Sequence, residues 1–502
     1  MIRLLATDLE KQCEASAVAL ACCSKRLADI ALDSVWEEVR GLRRLMRCLP
    51  PDTWEIRRRE FVRTSRYGLL TWWLNGQQVF IRCPSKKEWI RFSSYARRIR
   101  TFCLHSDPLV SPGVSWTAFN ILSMQVPTLG RYPLPNVRSV HLSYLDTWDF
   151  AYFLRLFLNP GLTEVRIGFP DDSDYLYRSP IVSLIPTGDL THLSLNYSEW
   201  THKPPGVLHD LLDGASGTLR SVSLHGCVSV ATINKLLQLP HLRYLNAGLP
   251  EARISPPVVV FPSLEKLDVW YREVGSWVHT LQNIPLQELV VNVVGHPPAY
   301  LQMLGSSLLN ANVERTLTSL KCRSWATVPL TEAGIRPLLS FGRLKMLDLS
   351  VSCDESECGI RLNDSIISEL ATALPQLTSL GLGDTPCKAS TSDVTVASLV
   401  ALSTDCVDLD YLRLHFDAND IVTRGTYAYS QACKFTCKLR TLSVGSQPLP
   451  SDHDDILLVT SAILHIFPHV ETISSAEGDW SRVREGVEML REVSRVGPLA
   501  EN

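Results

Sequence analysis

Few side chains in this sequence show the spacing that is typical of catalytic or metal-binding residues. Histidine is the residue type that comes nearest to such a pattern. Five of the thirteen histidines lie in or beside short apolar segments that are predicted to be strands, at positions that would face away from the core. They are His105, His141, His192, His225 and His415. A zinc site would require His192 and His225 to converge from neighbouring segments together with further ligands. We therefore expect hydrogen-bonded surface imidazoles and no metal centre.

Two short clusters look like catalytic sequences, GDTPC from Gly383 and SDHDD from Ser451. Each follows an apolar segment, where Gly, Pro, Asp and Ser are typical of turns. The chain also lacks the phosphate-loop, HExxH, GxSxG and dinucleotide-binding motifs. The sequence thus predicts a protein that is not an enzyme and uses no cofactor.

The elements that position these residues share a recurring phrase: an aliphatic residue, any two residues, an aliphatic, any one residue and a third aliphatic. The most regular copies begin at Leu162, Leu190, Leu219, Leu264, Leu344, Leu377, Leu409 and Leu439, and looser ones at Ile99, Val137, Leu242, Leu286, Leu317 and Val470. These starts recur about every 28 residues, a spacing typical of leucine-rich repeats.

Aliphatic residues in this pattern place one face of a strand against a core and leave the intervening residues facing outward. Such a strand buries its apolar face only by stacking on copies of itself, with a return segment between copies. Helical returns are predicted over Ala231–Leu237, Asp364–Leu374 and Asp455–Phe467, each stopping near a proline. The predicted fold class is therefore α/β, a curved leucine-rich-repeat solenoid with a parallel sheet on its concave face.

The outward places of the strands define the surface that a target protein would meet, because solenoids commonly bind through their concave face. The predicted target-binding residues are His141, Arg166, His192, His225, Tyr244, Asp268, Trp270, Arg323, Tyr411, Arg413 and His415. Trp270 is the leading candidate anchor, since tryptophan is enriched in interface hot spots. The alternative is that Trp270 packs under a neighbouring loop.

Charge and cysteine usage limit the environment and the partners. The first hundred residues hold 20 Lys and Arg against 11 Asp and Glu, and the remainder holds 29 against 41. The basic excess either steers an acidic partner or forms a solvated surface, and no nucleic-acid-binding module accompanies it. Fourteen cysteines without a compact spacing framework predict a reducing compartment, the cytoplasm, the nucleus or both. No signal peptide, membrane segment or zinc site is expected, including at Cys433 and Cys437.

The first fifty residues differ from the repeats and show helical patterns over Met1–Lys11, Ala15–Leu27 and Asp29–Val39. The stretch SAVALACCSKRLADIALDSVW from Ser16 resembles the second half of an F-box. The opening Leu-Pro-x-Glu of that family is absent, so the F-box is expected to lack its first few residues. Residues from Trp89 to Leu104 also resemble fungal F-box proteins of the leucine-rich-repeat type.

The resemblance implies a substrate-recognition subunit of a Skp-cullin-F-box ubiquitin ligase. Its F-box would dock on the Skp adaptor, which joins it to the cullin scaffold, and its repeats would bind an unidentified target protein. The positions that match the adaptor-binding face are Leu4, Leu5, Leu20, Leu27, Val35 and Trp36. The alternative is an adaptor-independent leucine-rich-repeat scaffold, in which this segment only caps the solenoid.

Four regions are expected: an F-box-like helical segment over residues 1–49, a connecting segment over 50–95, the solenoid over 96–480, and a C-terminal capping helix and tail over 481–502. Within the connecting segment, GLLTWWL from Gly68 and VFIRCPS from Val79 predict a short hairpin or an extended connection. The capping helix is expected from Ser481 to Val493, with the serine as its N-cap.

Overall fold

The computed structural model describes residues 16, 18–20, 22–23, 25–65, 68–105, 121–122, 124, 132–143, 156–169, 182–196, 206–249, 262–271, 278–282, 284–293, 299–324, 329–351, 360–383, 392–424, 436–444, 449, 452–475 and 480–496. The chain divides into two compact units, Met1–Leu242 and Arg243–Asn502. No described helix combines the length and the apolar run needed to cross a bilayer.

The first unit contains five helices and eight strands among its described residues. Its helices are α1 (Lys25–Trp36), α2 (Arg43–Met46), α3 (Lys86–Ala96), α4 (Gly206–Gly214) and α5 (Val230–Leu237), with a 3-10 turn at Pro51–Thr53. Its strands are β1 (Glu38–Arg40), β2 (Trp54–Ser65), β3 (Gly68–Phe80), β4 (Thr101–His105), β5 (Ser139–Ser143), β6 (Glu164–Gly168), β7 (His192–Asn196) and β8 (Ser221–Cys227).

A parallel sheet organises this unit. Strands β1, β4, β5, β6, β7 and β8 are consecutive neighbours in it. Strands β2 and β3 form a separate antiparallel hairpin in the connecting segment, where a short hairpin or an extended connection was expected. GLLTWWL from Gly68 and the first residues of VFIRCPS from Val79 both lie on β3. The helix α3 begins at a capping box in which the Ser85 and Glu88 side chains bond to each other's backbone amides.

The second unit repeats the same strand-and-return organisation. Its strands are β9 (Tyr244–Gly248), β10 (Lys266–Tyr271), β11 (Glu288–Val293), β12 (Ser319–Ser324), β13 (Leu330–Thr331), β14 (Met346–Val351), β15 (Ile360–Arg361), β16 (Ser379–Leu382), β17 (Tyr411–Arg413), β18 (Thr441–Val444) and β19 (Thr472–Ser475). Its helices are α6 (Tyr300–Asn310), α7 (Glu332–Ile335), α8 (Asp364–Ala373), α9 (Val396–Asp405), α10 (Asn419–Arg424), α11 (His453–Ile466) and α12 (Ser481–Val496), with 3-10 turns at Val278–Leu281, Val313–Arg315 and Arg336–Ser340.

The parallel sheet of the second unit also follows chain order. Among its described strands, β13 and β15 lie outside that sheet and form a small parallel pair. The predicted return helices are present as α5, α8 and α11, and the predicted C-terminal helix is present as α12. The α/β class and the parallel sheet are therefore confirmed.

Every one of the predicted repeat phrases forms a sheet strand. Each strand begins two residues after the first residue of its phrase. Strand β7 shows the expected alternation, because Leu193 and Leu195 are buried while His192 and Asn196 are exposed. The aliphatic spacing fixes both the strand and its buried face, since only one register hides all three apolar side chains.

The sheet begins earlier than the repeat phrase predicts. A helix was expected through Val39, but α1 ends at Trp36 and Glu38–Arg40 pairs with β4 as strand β1. Val39 is fully buried in this strand, and the amide of Gly41 then donates to the carbonyl of Cys103 at 2.7 Å. Gly41 adopts a φ of +76°, which suits glycine and turns the chain from β1 into α2.

Buried thiols help to join successive turns of the second unit. Cys406 Sγ donates to the carbonyls of Ala371 and Leu374 at 3.7 and 3.6 Å, and Cys437 Sγ donates to those of Cys406 and Leu409 at 3.6 and 3.7 Å. Burial raises the pKa of Cys406 to about 12, so this thiol stays protonated. Cys437 therefore has a structural role, while Cys433 lies outside the described residues.

Candidate protein-binding surfaces

The N-terminal helical residues carry four exposed large apolar side chains. Leu27 and Ile30 are 41% and 70% exposed, and they share one face of α1 because they are three residues apart. Val18 and Leu20, in the helical residues that precede α1, are also exposed. We call Val18, Leu20, Leu27 and Ile30 the N-terminal apolar surface.

Ion pairs with the end of α3 hold α1 in this orientation. The Arg98 guanidinium donates to the Asp29 carboxylate at 2.6 Å, to the Asp29 carbonyl at 3.0 Å and to the Asp33 carboxylate. These bonds anchor one side of α1 and leave Ile30 in solvent.

Val35 and Trp36 do not belong to this surface, which corrects their prediction as adaptor-binding residues. They are 6% and 7% exposed. The Trp36 ring lies 4.9 Å from the Tyr95 ring, and the Arg44 guanidinium lies over the Trp36 ring at 5.3 Å. These contacts bury Trp36 within the chain, so a partner protein cannot reach it.

Of the other predicted adaptor-binding positions, Leu20 and Leu27 are exposed as expected. Leu4 and Leu5 lie outside the described residues. Ile30 was missed because the matching F-box phrase directs attention to the tryptophan that follows it. Its spacing of three residues from Leu27 was the available signal.

In the first unit, the outward face of the sheet presents four of the predicted target-binding residues. Arg166 and His192 are exposed, and His141 and His225 are half-buried. Strand register places His225 beside Asn196 and places His192 beside Ser221. The two imidazoles therefore do not converge, and no group of three or more metal-binding side chains occurs among the described residues.

His141 lies at the centre of a polar cluster on three adjacent strands. Its Nδ1 atom is 3.5 Å from Cys103 Sγ, and its Nε2 atom is 2.9 Å from Ser139 Oγ and 3.3 Å from Glu164 Oε1. Arg166 donates to Glu164 at 2.6 Å. The bonds to Cys103 and Glu164 raise the pKa of His141 to about 9, and the bond from His141 lowers the pKa of Glu164 to about 2.

The sheet face of the second unit begins with a polar cluster around Asp268. Asn292 Nδ2 donates to Asp268 at 2.8 Å, and Asn246 Nδ2 lies 3.5 Å from the same carboxylate. Burial raises the pKa of Asp268 above its usual range. Beside it, the Lys266 ammonium pairs with Glu288 at 2.9 Å and lies 5.6 Å from the Tyr244 ring.

Trp270 is half-buried on this face. Its burial is intermediate between that of an exposed binding anchor and that of a side chain packed under a loop. Its indole Nε1 is enclosed and has no hydrogen-bond acceptor among the described residues. Arg323 is exposed on the same face, and Tyr411 is half-buried on it. The surface thus combines aromatic rings with cations and carboxylates.

Arg413 also lies on this face, but another residue of the chain already engages it. Its guanidinium crosses the intervening strand β16 to bond Asp348 and, at 2.7 Å, Ser350 Oγ. The crossing passes over Gly381, where a Cβ atom would lie 2.8 Å from the Asp348 carboxylate and 3.0 Å from the guanidinium. A side chain at position 381 would therefore obstruct the pair.

His415 is not on the surface, which corrects its prediction as a target-binding residue. It is 1% exposed. Strand β17 ends at Arg413, so the alternation of faces does not extend to His415. Its carbonyl accepts from Ser392 Oγ at 3.0 Å, and its ring lies close to Gly383, whose φ is +89°.

Among known proteins, no protein-family model matches the chain, and no curated protein matches it.

Proposed function

We propose that this chain is a substrate-recognition subunit of a Skp-cullin-F-box ubiquitin ligase. The observation that carries the proposal is the N-terminal apolar surface, because clustered exposed apolar side chains mark sites of protein interaction. Leu20 and Leu27 of this surface coincide with positions where the chain resembles an F-box.

The helix α1 has both buried and exposed apolar side chains, and this division favours adaptor docking over a role as a cap alone. A segment that only capped the repeats would turn its large apolar side chains toward them. Ala31, Val35 and Trp36 are buried within the chain, whereas Leu27 and Ile30 are exposed. The buried face then fixes the segment, and the exposed face is available to an adaptor.

In this proposal, the repeats form a curved solenoid in the cytoplasm or nucleus, and its concave sheet face holds the target protein. The exposed Arg166, His192 and Arg323 and the half-buried Tyr244 and Trp270 are suited to a polar partner with aromatic or acidic contacts. Transfer of ubiquitin is the work of other subunits, so this chain contributes positioning and no bond chemistry.

The test is binding of the purified chain to a Skp adaptor. The double substitution Leu27→Asp and Ile30→Asp should weaken binding at least about tenfold, because it places two carboxylates in an apolar interface. Titration calorimetry measures the affinity. Circular dichroism should show an unchanged melting temperature, since both side chains are exposed.

The matched control is Met489→Asp, because Met489 is 62% exposed on α12 in the second unit. This variant should bind the adaptor as the native chain does. Full binding by the double variant would reject the apolar surface as the docking site. Failure of the native chain to bind any Skp adaptor would favour the adaptor-independent scaffold.

A further inference from the structure

Three neighbouring strands bring a thiol, an imidazole and a carboxylate into one chain of contacts. Cys103 is on β4, His141 on β5 and Glu164 on β6. Register places Cys103 beside His141 and Ser139 beside Glu164, so the sheet itself sets these distances. Nδ1 of His141 faces the sulfur, and Nε2 faces the carboxylate.

This arrangement is that of an activated nucleophile, in which a base contacts the nucleophile and a third group orients the base. The imidazole can take the thiol proton at Nδ1 while the Glu164 carboxylate stabilises the resulting imidazolium at Nε2. Arg166 in turn fixes Glu164 at 2.6 Å. The raised pKa of His141 and the lowered pKa of Glu164 both favour the imidazolium–carboxylate pair at neutral pH.

The charges on the flanking strands also bear on the thiol. On β1, Arg40 is in register with Cys103, and it pairs with Glu38 at 3.0 Å. On β6, Arg166 is in register with His141. Register therefore places one cation on the strand beside Cys103 and one on the strand beside His141. Two other buried thiols contact a carbonyl or a phenol: Cys48 Sγ lies 3.8 Å from the Arg44 carbonyl and Cys322 Sγ lies 3.7 Å from the Tyr300 hydroxyl. Burial raises the pKa of Cys48 to about 11 and that of Cys322 to about 12.

A single metal ion does not account for the cluster. The sulfur and the carboxylate lie at opposite nitrogens of the imidazole, so one cation cannot contact all three groups together. The geometry instead suits proton transfer along the row.

We propose that Cys103 is a reactive thiolate and a site of covalent modification by small soft electrophiles, with hydrogen peroxide as the natural class. Cys103 is 4% exposed. We therefore expect only small reagents to reach its sulfur. This proposal does not rest on the ligase function.

The reaction balances without any further reagent. The thiolate attacks one peroxide oxygen, so an S–O bond forms as the O–O bond breaks. The departing hydroxide takes the proton of the His141 imidazolium and leaves as water. Cysteine is oxidised to sulfenic acid, and peroxide is reduced to water.

The first test is the pH dependence of alkylation of the native chain by iodoacetamide, followed at Cys103 by peptide mass spectrometry. The rate should change less than about threefold between pH 6 and 8.5, because in this proposal His141 accepts the thiol proton. An ordinary thiol gains about tenfold per pH unit below its pKa of about 8.5. His141→Gln should restore that steep rise, and Glu164→Gln should do so in part.

The matched controls are the exposed Cys83 of the same chain and Cys103 in urea-unfolded chain, both of which should show the steep profile. A steep profile at Cys103 in the native chain, or no alkylation there at any pH, overturns the proposal. If His141→Gln fails to fold, the native profile against the unfolded one decides.

The second test uses hydrogen peroxide followed by dimedone, which labels sulfenic acid. The label should appear at Cys103 in the native chain and fall at least about tenfold in His141→Gln. Absence of label at Cys103 in the native chain would reject peroxide as the reagent.

Discussion

Replacing Trp36 by alanine is expected to lower the free energy of unfolding of the first unit by about 3–5 kcal/mol, the usual cost of truncating a buried tryptophan. The side chain is 7% exposed, contacts the Tyr95 ring at a tilt of 39° and lies under the Arg44 guanidinium. Its loss leaves a cavity between α1 and α3 and removes the cation–π contact. Urea unfolding followed by circular dichroism measures the change.

Ile30→Ala is the matched control, because Ile30 is on the same helix but is 70% exposed. Its substitution should change the free energy of unfolding by less than about 0.5 kcal/mol. Equal effects of the two variants would contradict the burial of Trp36. A loss of adaptor binding in Trp36→Ala would report unfolding, so Leu27 and Ile30 are the informative positions for docking.

The second large effect is expected at the ion pair that crosses β16. Asp348→Ala should destabilise the second unit by roughly 2–3 kcal/mol, because it leaves the Arg413 guanidinium half-buried without its carboxylate. The two side chains retain 14% and 24% exposure, so the cost should lie below that of a fully buried pair. Thermal and urea unfolding of the Asp348→Ala variant and of the native chain measure this cost.

The double substitution Asp348→Leu with Arg413→Met is the control for this pair. Replacing a paired charge and its partner by apolar side chains is often nearly neutral, so the double variant should recover most of the loss. If the double variant lost more stability than Asp348→Ala does, the two residues would not act as a pair. Gly381→Val should resemble Asp348→Ala, since its side chain would separate the pair.

The strands were predictable because burial of aliphatic side chains is decided locally. A phrase such as LTHLSL from Leu190 hides its apolar residues in only one conformation, and the structure places β7 there. The same alternation predicted that His192 and Arg166 face outward, which they do. The prediction failed at His415, which follows the end of β17 and is 1% exposed. Ser392, more than twenty residues earlier in the chain, bonds to the His415 carbonyl, and no local pattern predicts that contact.

The same limit explains the first fifty residues. The pattern Glu38–Arg40 is too short to signal a strand, and it pairs only because β4 offers an edge with free backbone groups. Trp36 resembles a docking residue in sequence, yet α3 and Arg44 cover it. Ile30 is on the same helix and remains exposed because Arg98 anchors the other side.

Sequence alone sufficed for the strand positions, the buried face of each strand and the α/β class, because apolar spacing dictates these within a few residues. Tertiary structure decided which outward side chains meet. Cys103, His141 and Glu164 are far apart in the chain, and only the lateral register of β4, β5 and β6 places them within hydrogen-bonding reach. That register arises from the stacking of whole repeats, so no local pattern in the sequence reveals it.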